Sequence, residues 1–335
     1  MKLANLTALV EGILANSPSI TAFEDVNFEA SKIKRGDLFV ALNHNDIEEA
    51  ILNGAYGILF DKPTQISDQE IAWIKVKSVD NALLRLLRFH VMQKSPQVFY
   101  CDEISLKLAA QIITSRELLV LDKPLKEHMQ ELYQIQENQY ILFSKDNTDE
   151  QLFIDIKPVN RVENSNMSIV EQTLFETSFI YDDTYYERQL LSPFFIPYLE
   201  SVLQFFKQNS IGYQLRNFTP INHFEAVFTN VHFQVKEFGK SDNVLIFESS
   251  FELVKEQIHF LKKQANWAKI IYILPLDKVE ELEEKCDNVF PYESVWDIMH
   301  TLKNQNYHFA LIAEQSAEIL NDNVFDIRNE QPSLF

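Results

Sequence analysis

Glycine is scarce in this chain. Among 335 residues there are six, where average usage of roughly 7% would give about two dozen. None lies between Gly57 and Gly212. Glycine supplies the tight turns and close backbone approaches from which phosphate loops and nucleophile elbows are built. No GxxxxGKS/T sequence occurs, which excludes a P-loop of the usual kind, and no GxSxG occurs, which excludes a hydrolase elbow. Cysteine is almost absent too. Cys101 and Cys286 are too few for a disulfide scaffold and lack metal-ligand spacing. The eight histidines include no pair at i,i+3 or i,i+4 and no HExxH, so nothing in their spacing points to a metal. No apolar run approaches the length that spans a membrane. No cluster of lysine and arginine offsets a net charge of −19, which argues against nucleic acid as a partner.

What is present reads as a globular α/β chain. Hydrophobic residues make up 46% and charged residues 24%, enough to bury a substantial core. The expectation is a cytoplasmic, soluble protein. The N-terminus has an amphipathic helical pattern over Ala4–Ala15, with Glu11 inside it, unlike a signal sequence. A strand is expected at Asp37–Leu42 after the turn Lys34-Arg35-Gly36, then a helix Asp46–Asn53, strands Tyr56–Phe60 and Ile71–Val76, and a helix Val79–Met92. A second stretch alternates strand Gln97–Cys101, helix Ile104–Thr114, strand Glu117–Leu121, helix Leu125–Ile135 and strand Tyr140–Ser144, the order of a parallel sheet. Extended segments follow at Leu152–Ile156, Thr173–Tyr181 and Tyr185–Leu191, then a helix from Pro193 to Gln208. The third stretch alternates again: strands Asn243–Phe247, Lys269–Leu274, Val289–Phe290 and Tyr307–Ile312, with helices Glu252–Ala265, Val279–Lys285 and Ser294–Lys303.

Two runs carry a resemblance. Lys32-Ile33-Lys34-Arg35-Gly36-Asp37-Leu38-Phe39-Val40-Ala41-Leu42, an acidic helix, and Asn53-Gly54-Ala55-Tyr56-Gly57-Ile58-Leu59 together resemble the N-terminal domain of the Mur ligases. The type nearest in pattern adds D-alanyl-D-alanine to the UDP-muramoyl tripeptide. Further matches follow in the family's order: Asn81-Ala82-Leu83-Leu84, Ile141 to Asn147, and Ala310-Leu311-Ile312-Ala313-Glu314-Gln315-Ser316. The resemblance implies a three-part α/β architecture. Residues 1–95 would form a UDP-site domain, 96–222 a shortened central parallel-sheet domain without a P-loop, and 223–328 a Rossmann-like C-terminal domain, with 329–335 a free tail. By position relative to the family, Ser31, Lys32, Lys34, Asn43 and His44 would line the uridine site.

The departures from the family pattern concern its chemistry. After the strand Gln97–Cys101 the family has its glycine-rich ATP loop, and here stands Asp102-Glu103-Ile104-Ser105-Leu106-Lys107. A phosphate cradle needs consecutive backbone N–H groups aimed at one point, with a lysine and a hydroxyl for the metal. Asp102 and Glu103 put negative charge there instead, and Asp102, Glu103 and Lys107 mark the degenerate P-loop position that the resemblance implies. Between Glu103 and Leu125 there is no room for the family's catalytic glutamate, metal-binding histidine or carbamylated lysine. Glu248-Ser249-Ser250-Phe251 replaces the Asn-Pro pair that follows the first strand of the C-terminal domain, and the substrate-gripping flap is reduced to Asn43-His44-Asn45-Asp46.

Other features have ordinary readings. The aromatic stretch Phe194-Phe195-Ile196-Pro197-Tyr198, with Phe205-Phe206, reads as a packed helix rather than a partner surface. The C-terminal Gln331-Pro332-Ser333-Leu334-Phe335 resembles the peptide by which bacterial proteins dock on the sliding clamp, through Gln331, Leu334 and Phe335. Gln139-Tyr140-Ile141-Leu142-Phe143 fits the same pattern inside an expected strand, so the pattern also arises without that role. The leading expectation is therefore a Mur-ligase-like protein without catalytic residues or cofactor. It would act as a binding or scaffold protein near peptidoglycan-precursor synthesis, with a UDP-sugar or muramoyl-peptide precursor, or protein partners of wall synthesis, as its ligands. The alternatives are a ligase or transferase that keeps the UDP-muramoyl-peptide site and uses another nucleotide mode, and an interaction module working through its tail.

Overall fold

Among the described residues, alternating apolar runs separated by polar turns build four sheets. The computed structural model describes residues 1–145, 150–162, 165–216, 218–282 and 286–321. The chain divides into two compact units: Met1–Asn160 with Phe205–Tyr213, and Arg161–Gln204 with the chain from Gln214 on.

In the first unit, helix α1 (Leu3–Leu9) precedes a sheet of β1 (Ile13–Leu14), β2 (Val26–Asn27), β3 (Leu38–Val40), β4 (Gly57–Phe60) and β5 (Ala72–Lys75), with α2 (Ile47–Leu52) between β3 and β4. The strand order is β1-β5-β4-β3-β2; only β1 runs antiparallel to its neighbour. The helix expected over Ala4–Ala15 stops early. Glu11 has φ 52°, and a Cβ on Gly12 would stand 2.6 Å from the Ile74 side chain. The chain therefore turns there and adds β1 to the sheet edge. Gly36, at φ 104°, makes the expected turn into β3.

Helix α3 (Val79–Lys94) leads to a second, all-parallel sheet. It contains β6 (Gln97–Cys101), β7 (Leu118–Leu121), β8 (Tyr140–Ser144) and β9 (Lys157–Pro158) in the order β7-β8-β6-β9. Helix α4 (Glu103–Ile112) follows β6, and α5 (Met129–Tyr133) follows β7. The helix expected over Leu125–Ile135 is a 3-10 turn at Leu125–Glu127 and then α5. The buried His128 ring joins the two, accepting from Lys123 N at 3.2 Å and meeting Glu131 Oε2 at 2.6 Å. The segment expected to be extended at Leu152–Ile156 begins in a 3-10 turn and buries Leu152 and Phe153. One buried cluster crosses the boundary expected at 95/96: Leu83, Leu86, Leu87 and Val91 of α3 join Val98, Leu121, Leu132 and Phe143.

The second unit carries an antiparallel sheet of β10 (Ser168–Gln172), β11 (Thr177–Tyr181) and β12 (Thr184–Gln189). Thr173 splits the single extended segment expected over Thr173–Tyr181, because its Oγ1 accepts from the N–H groups of Phe175 and Glu176 and closes a turn. The expected central segment 96–222 thus contributes β6–β9 to one unit and β10–β12 to the other. Helix α6 (Ile196–Gln208) follows. Phe194, Phe195, Tyr198, Phe205 and Phe206 are all buried, so this aromatic stretch offers no exposed partner surface.

The last sheet contains β13 (Glu225–Thr229), β14 (Asn243–Glu248), β15 (Ile270–Pro275), β16 (Val289–Tyr292) and β17 (Phe309–Ala313), in the order β13-β14-β17-β15-β16. Four strands are parallel and β13 is an antiparallel edge. Helices α7 (Phe251–Gln264) and α8 (Val295–Asn304) connect them in the Rossmann-like manner. The helix expected at Val279–Lys285 is a 3-10 stretch, Leu276–Glu281, and residues 283–285 lie outside the described residues. So does the tail with Gln331, Leu334 and Phe335. Among the described residues, no helix is long and apolar enough to cross a membrane.

Candidate functional site

The junction between β6 and α4 is where a parallel α/β sheet ordinarily receives a phosphate, because a helix N-terminus offers unpaired N–H groups and a positive dipole end. Here the chain caps that end itself. Asp102 is the N-cap, its Oδ1 accepting from Ser105 N at 2.8 Å and its Oδ2 from Ser105 Oγ at 2.9 Å. Glu103 opens the helix, and Lys107 lies 3.6 Å from it, one turn on. The carboxylate thus takes a donor that an anion would need. The Cys101 thiol just before it is pushed well above its ordinary pKa, first by burial and then by the Asp102 charge. Lys145, beyond the end of the adjacent β8, lies over the Tyr100 ring at 4.2 Å.

The residues expected at a uridine site fall at the two ends of β3. Ser31, Lys32 and Lys34 come together before it, in a cleft of about 610 Å³ with Glu24, Asp25, Asn27, Asp37, Gln130 and Gln134. Asn43 and His44 stand after β3. Asn43 Oδ1 accepts from Asn45 N at 3.2 Å, and His44 Nδ1 lies 3.4 Å from Thr64 Oγ1. His44 lines a separate cavity of about 150 Å³ with Asp61, Lys62, Asp80 and Lys126. That cavity is closed in by Asp61, which accepts from Val79 N at 3.0 Å, and by the Lys126–Asp80 pair at 3.0 Å.

The larger cleft has a fixed floor. The buried Asp37 accepts from Asn27 Nδ2 at 2.6 Å and from Lys34 N at 2.9 Å, which ties β2, β3 and the intervening turn. Lys32 is paired with Glu29 at 2.7 Å. On α5, Tyr133 lies between the lining residues Gln130 and Gln134 in sequence, and its phenol is pushed up to about 12 by burial first and then by Asp25 and Asp37. Its ring stacks on His90 with centroids 4.3 Å apart. Burial, and secondarily Lys94, lowers the His90 pKa while Asp25 opposes them. Sequence reasoning missed Glu24, Asp25, Asn27, Asp37, Gln130 and Gln134. Asp37 stood inside the Gly-Asp-Leu-Phe run, and Gln130 and Gln134 share helical spacing, but nothing local ties α5 to β2.

In the second unit Glu248 ends β14 fully buried, where the family resemblance places an Asn-Pro pair. It accepts from His223 Nδ1 at 2.7 Å, Phe224 N at 3.1 Å, Ser250 N at 2.8 Å and the Gln257 amide. Among the described residues, no group of three or more histidine, cysteine, aspartate or glutamate side chains is placed to hold a metal ion.

Neither a protein-family model nor a curated protein matches the chain. Among solved structures, it is similar to MurF from Acinetobacter baumannii, at 10% identity over 97% of this chain and 98% of that one, with a TM-score of 0.50. The fold is Mur-ligase-like. A MurF ligase from Thermotoga maritima, solved in complex with ADP, aligns over 91% of this chain and 96% of that one at 12% identity and a TM-score of 0.47. At these identities the likeness is one of architecture. Within the Mur-ligase-like fold, the Asp102 cap is a property of this chain's own residues.

Proposed function

We propose that this chain is a non-catalytic Mur-ligase-like protein that binds a ligand in the larger cleft of its first unit and serves peptidoglycan-precursor synthesis as a binding or scaffold protein. The single observation that carries the non-catalytic part is the Asp102 cap. A triphosphate seated there would have to displace that carboxylate from the helix N-terminus and lie beside Glu103. The link to wall precursors is supported by the fold likeness and by the run Lys32–Leu42, and Ser31, Lys32 and Lys34 are the residues proposed to meet the ligand. A shared fold does not confer a shared activity, so the reading stands on ligand binding.

A thermal-shift screen of the full chain against ATP with Mg²⁺, UDP and UDP-muramoyl tripeptide tests it. A ligand at a hundred times its Kd stabilises the native state by about 2.7 kcal/mol. The expected result is no shift with ATP and a shift with the precursor. A shift with ATP, abolished when γ-phosphate is absent, contradicts the proposal.

A further inference from the structure

The second unit carries an aromatic row at one end of its last sheet, the end at which β14, β15 and β17 begin. Phe238 meets Phe228 at 5.0 Å between ring centroids, and Phe228 meets Phe175 at 5.4 Å. Phe175 meets Phe309 at 6.2 Å, and Phe309 meets Trp267 at 6.1 Å. The middle of the row is packed, but its two ends stand in solvent, Trp267 71% and Phe238 46% exposed. Val231 and Val235, in the loop between β13 and β14, are more exposed than Phe238. Apolar surface gathered at one end of a unit differs from the ordinary scatter of single exposed side chains. Both ends of the row are also held in place. Lys236 N donates to Phe228 O at 2.8 Å, which ties down the Phe238 loop, and Lys269 N donates to His308 Nδ1 at 2.9 Å, which ties the Trp267 turn to β17.

The charge around the row is opposite in sign to that of the chain, whose net is −19. Residues 261–269 and 301–309 bring Lys262, Lys263, Lys269 and Lys303 and no acid. In 229–242 two lysines face two acids, and both acids are engaged: Glu237 by Lys240 at 2.5 Å, and Asp242 by Val231 N at 3.2 Å. Glu176 and Asp287 stand at the same end and still leave lysine in excess.

We infer that this end of the second unit docks on an anionic lipid bilayer, with Trp267 and Phe238 entering the headgroup region and Lys263 and Lys269 meeting lipid phosphates. Tryptophan favours that interface because its ring is apolar and its N–H polar, and nearby lysines are drawn to anionic headgroups. The shape favours a bilayer over an acidic peptide, which needs a groove to seat it. Here the side chains protrude. Residues 234–240 are all exposed, and a Cβ on Gly239 would have no atom within 4 Å. A bilayer takes up protruding apolar tips without a matching pocket. The acids elsewhere on the chain do not forbid docking, because repulsion between exposed charges fades over about 8 Å at physiological ionic strength.

Co-sedimentation of the full chain with vesicles of phosphatidylcholine alone, and with vesicles containing about one third phosphatidylglycerol, tests this. Binding to the anionic vesicles is expected to be at least about tenfold stronger. Lys263→Gln together with Lys269→Gln should weaken it by at least about tenfold, and Phe238→Ser by about tenfold. All three positions are exposed, and an unchanged urea midpoint would show that the variants fold. Tryptophan fluorescence locates the docking face. Trp73 is fully buried, and Trp296, also exposed, opens α8 at the opposite end of the strands. In Trp296→Phe, emission from Trp267 should shift to the blue with anionic vesicles and be quenched by brominated lipid. In Trp267→Phe, which keeps an aromatic ring and should still sediment, Trp296 emission should not change. No binding to anionic vesicles, equal binding to both kinds, or quenching of Trp296 in place of Trp267 overturns the inference. Shielding of Trp267 by polyglutamate but not by vesicles overturns it in favour of an acidic protein partner.

Discussion

Replacing Glu248 with alanine removes the acceptor that four donors share at the end of β14. His223 and Gln257 are 3% and 0% exposed, and the Phe224 and Ser250 N–H groups converge on the same carboxylate. Each buried donor left without a partner costs about 1–3 kcal/mol. Partial entry of water and relaxation of the loop before β13 offset part of the sum, so a net loss of about 3–5 kcal/mol is expected, the range for breaking a buried network. Glu248→Gln keeps one acceptor oxygen and should lose less. Urea unfolding followed by tryptophan fluorescence reads the effect where it arises, because Trp267 and Trp296 lie in the second unit and Trp73 in the first. With a slope of about 2 kcal/mol/M, the second-unit midpoint should fall by about 1.5–2.5 M while the Trp73 transition keeps its midpoint. A Glu248→Ala protein within about 0.5 M of the parent would refute the reasoning, since unsatisfied donors of this kind cannot be that cheap.

Three further outcomes follow from the first unit. Asp102→Ala should destabilise that unit by about 1 kcal/mol, the ordinary loss for an N-cap, measured by the Trp73 transition, and an unchanged midpoint would remove Asp102 as a cap. The His90 pKa lies below its ordinary value of 6.5, so the unfolded chain takes up that proton first. Its contribution to stability is then full above 6.5 and falls as pH drops below it; His90→Phe should flatten that slope in denaturation midpoints taken between about pH 5 and 8, and an unaltered slope would contradict the assignment. Cys101, buried and with its thiol pKa raised, should resist alkylation in the native protein at about pH 8 while the half-buried Cys286 reacts; peptide mass spectrometry reads the order, and modification of Cys101 first would count against it.

Much of the fold was legible because buried parallel strands read as short apolar runs. β6 and β8 coincide with the runs Gln97–Cys101 and Tyr140–Ser144, each bounded by polar turns. Helix α4 was legible from its apolar periodicity as Ile104–Thr114, whereas the Asp102 cap came only with the hydrogen bonds to Ser105. What escaped depends on distant partners. β1 exists because Gly12 meets Ile74, and β2 is two residues held by pairing with β3. The edge strand β13 has one neighbour, β14, and mixed burial, which leaves little periodic signal. The cleft was half legible. Ser31, Lys32 and Lys34 come from one turn, whereas Gln130 and Gln134 reach it only through the shared core of α3, α5 and the first sheet.

The most direct test of the central claim, that the β6–α4 junction caps itself and does not bind nucleotide phosphate, is calorimetric titration of the full chain with ATP and Mg²⁺. The account predicts no saturable heat up to about 1 mM, the weak end of ordinary small-molecule affinity. Saturable binding that is strengthened by Asp102→Gly would mean that the carboxylate obstructs a phosphate site still in use. Saturable binding by the parent chain, at micromolar ATP and dependent on Mg²⁺, would contradict the account outright.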